Sequence, residues 1–157
     1  MMIALSLACV LPSFAEERPM HFEEYNHDNF WLHPPHVVIC TSQTHFSISD
    51  VEMALSRWKR EVSQITTRKQ CDYELERGKI KIVDGALLDS DQWGYTSYLY
   101  VTHEQNGKEV RQYKAAVVQL DSGVQDSELL MHELGHAFGY EHYDASFDVM
   151  NAFTTYY

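Results

Sequence analysis

Chemistry in this chain concentrates in the segment His132-Glu133-Leu134-Gly135-His136-Ala137-Phe138-Gly139-Tyr140-Glu141-His142. It reads H-E-x-x-H-x-x-G-x-x-H. Residues i and i+4 share one helix face, one turn apart, so His132 and His136 can aim imidazole nitrogens at one metal ion. Glu133 is rotated by about 100° from His132. It therefore lies beside such an ion, where a carboxylate can take a proton from water. Gly139 lets the helix stop and the chain turn back, because glycine adopts positive φ without steric cost. The turn brings His142 round as a third ligand. Three histidine ligands with an open fourth position are the pattern of a catalytic zinc site (Zn2+). An isolated H-x-x-x-H pair is usually an accident of surface or core histidines. Five residues fixed together arise by chance only on the order of once in tens of millions of starting points.

The elements that must position these residues follow from periodicity. Val37-Val38-Ile39-Cys40 is a β-branched run and predicts a buried strand. Ser49 followed by Glu52 has capping-box spacing, and Val51, Leu55, Trp58, Val62 and Ile65 recur at helical intervals. The spacing predicts an amphipathic helix over 50–63. Lys79–Val83 alternates as a strand ending near Gly85, and Tyr95–Thr102 predicts another. Asn106-Gly107 is a hairpin signal, with Val110–Leu120 as the return strand. Ala115–Val118 reads as buried on both faces. A helix over 126–138, capped by Asp126 or Ser127 and ended by Gly139, carries the histidines. This order predicts an α+β (α/β-like) fold with one mixed sheet.

The histidine segment resembles the signature of the metzincin clan of zinc metallopeptidases. The clan pattern continues with a methionine turn, and Ser146-Phe147-Asp148-Val149-Met150-Asn151 fits it. The compact spacing from His142 to Met150 is similar to that of matrixins. Two positions depart from them: Tyr143 stands where matrixins usually carry Ser, and Asn151-Ala152 where Tyr-Pro often follows the methionine. The resemblance implies a twisted mixed sheet with a backing helix (50–63), an antiparallel edge strand (95–102) that aligns substrate, and an active-site helix (126–138). It implies Met150 as a hydrophobic floor under the metal, and a protein or peptide substrate. Glu133 would be the general base for a water activated by zinc, the ion held by His132, His136 and His142. Phe153 and Tyr156 are candidates for the specificity pocket, though terminal aromatics also serve as simple packing.

Met1–Leu11 is apolar but too short to span a bilayer, and Ser13-Phe14-Ala15 fits a small-x-small cleavage site. Residues 1–15 are expected to be a secretory signal peptide, a buried N-terminal element being the alternative. Residues 16–36 are acidic and rich in His and Pro. They read as a leader or short pro-segment, with Asp28 a candidate to reach the metal. Residues 37–157 form the expected metallopeptidase catalytic domain, secreted, with no membrane association after signal removal. The net charge of −11 lies wholly outside 1–15 and argues against nucleic-acid partners. Cys40 and Cys71 remain after Cys9 leaves with the signal, and are read as one disulfide or as two buried thiols. Two other functions fit the same motif: a non-catalytic zinc-binding module, which would need no base, and a zinc hydrolase of non-peptide or cell-wall amides.

Overall fold

A computed structural model describes residue 20 and residues 29–86, 92–121, 123, 126–143 and 148–151. The 1–15 segment, Asp28, Phe147, Phe153 and Tyr156 lie outside the described residues. The β-branched run forms strand β2 (His36–Cys40), an interior strand of a six-stranded sheet. The others are β1 (Phe30–Trp31), β3 (Gln64–Arg68), β4 (Lys79–Asp84), β5 (Gly94–Gln105) and β6 (Lys108–Leu120). β2 pairs in parallel with β3 and β4, and β4 in parallel with β6. β5 runs antiparallel along the whole of β6, so β1 and β4 share the opposite edge of that strand. The result is a mixed α/β architecture with a mostly parallel sheet. β5 has no strand on its outer side among the described residues. Asn106 and Gly107 both have positive φ, 54° and 75°, as a tight β5–β6 turn requires.

Alternation along the strands divides the core. Val37, Ile39, Ile80, Ile82, Ala116, Val118 and Leu120 face helices α1 (Ile48–Trp58) and α2 (Ser127–Ala137). Val38, Cys40, Val83 and Val117 face the other way, with Cys71 and Tyr73 packed on them. Lys81 shares that second face and is fully buried. Its amine pairs with Asp72 and lies 3.4 Å from Glu76 Oε1, so the charge is met by the segment covering it. A disulfide from Cys40 to Cys71 ties that segment to β2.

The backing helix is shorter than the 50–63 expected. It starts with a capping box of Ser47 and Asp50, two residues before the Ser49–Glu52 pair. It ends at Trp58 because Lys59 turns left-handed at φ 51°. Lys59 N–H then bonds Ser56 O and Arg60 N–H bonds Leu55 O, closing a Schellman turn. Ile65, read as helical, instead lies in β3 opposite Val37. Packing also begins before Val37, since β1 joins the sheet through Phe30 and Trp31. No helix among the described residues is long and apolar enough to cross a membrane.

The disulfide spans 31 positions. A loop of that size limits the unfolded chain enough to contribute about 3–4 kcal/mol in the chain-entropy model. Replacing Cys40 and Cys71 together by Ser is expected to lower the urea-unfolding free energy by about that amount, and an unchanged value would contradict a stapled second face.

Candidate metal centre

α2 starts at Asp126, whose carboxylate accepts from Glu128 N–H at 2.8 Å. It stops at a second Schellman turn. Gly139 N–H bonds His136 O at 2.9 Å and Tyr140 N–H bonds Gly135 O at 3.0 Å, with Gly139 at φ 93°. Conformation is only half of the reason for glycine here. A Cβ at 139 would lie 2.6 Å from Asn29 Cβ and 2.8 Å from the Tyr113 ring. Asn29 is buried and pins this turn, giving its amide to Gly139 O at 2.9 Å while taking Arg111 N–H at 3.1 Å. Trp31 Nε1–H donates to Ala137 O at 2.9 Å.

The turn brings the three histidines together. His136 Nε2 lies 3.1 Å from His132 Nε2 and 3.1 Å from His142 Nε2. His132 is buried, His136 half-buried and His142 exposed, so the cluster opens to solvent on one side. They lie close enough to hold one metal ion. Two nitrogens each about 2.0–2.1 Å from a tetrahedral ion sit about 3.3–3.4 Å apart, close to the spacing found.

Tautomers strengthen the fit. His132 Nδ1 lies 2.6 Å from Val149 O and His136 Nδ1 lies 2.8 Å from Tyr140 O. A carbonyl only accepts, so each Nδ1 carries the proton and each Nε2 presents a lone pair. Two facing lone pairs repel unless a cation lies between them. Burial, then the neighbouring His132, pushes His136 down to about 3, which keeps the ring neutral as a ligand must be.

Glu133 is buried against β5. Thr96 Oγ1 lies 2.7 Å from Glu133 Oε2 and 2.9 Å from its backbone carbonyl. Burial pushes the Glu133 carboxyl up to about 7, with the Thr96 hydroxyl pulling the other way. A carboxyl in that range can exchange protons near neutrality.

Met150 is fully buried beneath α2, and a Cβ at Gly135 would lie 2.6 Å from both Met150 Sδ and Trp58 Cζ2. The turn around it is held by Met150 N–H to Asp148 Oδ1 at 2.7 Å and Tyr143 N–H to Met150 O at 2.9 Å. It thereby delivers the Val149 carbonyl that fixes His132. Sequence reasoning did not reach Asn29, Gly94, Thr96 or Gly135. Their partners are 37 to 110 positions away or, for Gly135, on α1 and the methionine turn, and no local spacing encodes such contacts.

Comparisons with known protein families, curated proteins and solved structures return no match for this chain.

Proton counting gives opposite signs to the two buried groups in metal-free protein. His136 is lowered from 6.5 to about 3, so between those values the unfolded chain holds the extra proton and acidification costs stability. Glu133 is raised from 4.5 to about 7, so between those values the folded chain holds it and acidification adds stability. Glu133→Gln removes only the second effect. Urea unfolding at about pH 7 and about pH 5 is expected to show a larger loss on acidification in Glu133→Gln than in wild type. Equal losses would contradict a raised carboxyl.

Proposed function

We propose that this protein is a secreted zinc-dependent endopeptidase of metzincin type. The observation that carries the reading is the convergence of three Nε2 atoms, two of them on the helix that also carries the buried Glu133. Neutral imidazoles suit zinc, and three of them leave a coordination position free for chemistry. When bound, zinc supplies Lewis acidity, lowering the pKa of water and polarising the scissile carbonyl.

The chain's own residues do the rest. Val149 O and Tyr140 O hold the His132 and His136 rings with their lone pairs toward the ion. Glu133 takes a proton from the attacking water at a carboxylate oxygen and passes it to the leaving nitrogen. The outer edge of β5, which carries no strand among the described residues, offers N–H and C=O groups to an extended peptide, an interaction by β-augmentation. Thr96 on that strand touches Glu133, so a peptide lying along β5 would pass close to the base. The methionine turn after His142 and the disulfide, a bond of oxidising compartments, support the family and the secreted location.

A peptide-library digest tests this, with wild type, Glu133→Ala and chelator-treated wild type compared at equal protein. Turnover is expected to fall about 10²–10⁴-fold in Glu133→Ala, with zinc content unchanged. Chelation is expected to abolish cleavage, and zinc to restore it. Equal turnover in wild type and Glu133→Ala would end the protease reading and leave a zinc-binding module. Release of cell-wall fragments without peptide cleavage would point to a different amide.

A further inference from the structure

We propose that Thr96 is the positioning residue for Glu133, and that it selects Oε1 as the oxygen that takes the proton from water. This rests on the endopeptidase reading and assigns a role within that site.

Glutamate has several rotatable bonds, and a base must be held within a fraction of an ångström of its working place. Helix α2 fixes only the Glu133 backbone. The side chain is fixed by β5, through two residues on the strand face that looks toward the helices. Thr96, itself buried, places Oγ1 2.7 Å from Oε2. Two positions earlier on the same face, Gly94 leaves the space that the carboxylate fills. A Cβ there would lie 2.7 Å from Oε1 and 2.9 Å from Cγ. β5 is itself located by its register on β6, Gly94 opposite Leu120 and Thr96 opposite Val118. The carboxylate is thus confined between a hydroxyl and a bare stretch of backbone. Oε1 makes no hydrogen bond among the described residues, whereas Oε2 is committed to Thr96.

The hydroxyl suits the base before and after it acts. It has one proton and two lone pairs. Toward an ionised carboxylate it donates to Oε2. Once Glu133 holds on Oε1 the proton taken from water, Oε2 is the carbonyl oxygen of the acid and still accepts from the Thr96 hydroxyl, which also has the Glu133 backbone carbonyl within reach at 2.9 Å. The Thr96 proton stays on Oγ1 throughout, and the only proton transferred runs from water to Glu133.

The test compares wild type, Thr96→Val and Thr96→Ser on the same peptide, with zinc content and melting temperature measured for each. Val keeps the shape and β-branching but loses the hydroxyl, whereas Ser keeps the hydroxyl. In Thr96→Val, kcat is expected to fall at least about tenfold with KM within about twofold, because orientation rather than binding is lost. Thr96→Ser is expected to recover to within about threefold of wild-type kcat. A readout independent of turnover uses metal-free protein. The carboxylate stretch identified in the infrared by Glu133→Gln is expected to shift in Thr96→Val and to return in Thr96→Ser. If Thr96→Val does not fold, Thr96→Ala against Thr96→Ser carries the same comparison. A folded Thr96→Val with wild-type kcat, or a folded Thr96→Ser as impaired as Val, overturns the assignment and leaves the endopeptidase reading standing. Wild-type protein that cleaves no peptide overturns both.

Discussion

A histidine ring offers a lone pair at Nε2 only while its other nitrogen keeps the proton. In this chain that choice is made by backbone carbonyls. Val149 O accepts from His132 Nδ1–H, and Tyr140 O from His136 Nδ1–H. Both carbonyls come from turns that follow the helix carrying the rings. One turn exists because Gly139 tolerates positive φ, and the other because Asp148 gathers the backbone around Met150. Much of the remaining fold holds those turns in place. Asn29, just before β1, and Tyr113 of β6 press on the first, and Trp58 lies with Met150 under Gly135.

The second constraint is electrostatic. A buried carboxyl such as that of Glu133 is costly unless its charge is used or shared. β5 meets Glu133 with one hydroxyl and no bulk. The same strand has no partner strand on its outer side among the described residues. One element therefore sets the base and offers backbone groups to an extended chain, which couples substrate alignment to proton transfer in the proposed reaction.

Features with local spacing were legible in the sequence. The i, i+4 histidines, the Gly139 stop and the Asn106-Gly107 turn each depend on a few adjacent residues, and the structure contains each: the histidines lie close enough for one ion, and Asn106, Gly107 and Gly139 all have positive φ. The end of α1 was not legible, because Lys59, not a glycine, takes the left-handed position and Val62 and Ile65 continue the apolar rhythm by coincidence. β1 is only two residues long, and β3 is a half-exposed strand whose Ile65 falls on the helical spacing. Asn29 illustrates the limit more sharply. It lies in a stretch with the composition of a leader, yet its amide completes the turn that presents His142. Thr96 was one polar residue among several on a strand, and only the packing of β5 on α2 reveals its partner.

The most direct test of the central claim is zinc stoichiometry combined with X-ray absorption at the zinc edge. Purified protein dialysed against limiting free zinc is expected to retain one ion per chain, with three nitrogen neighbours at about 2.0–2.1 Å. His142→Ala is expected to bind it more weakly. Folded protein that retains no stoichiometric zinc, or an absorption spectrum without three nitrogen ligands, would contradict the account.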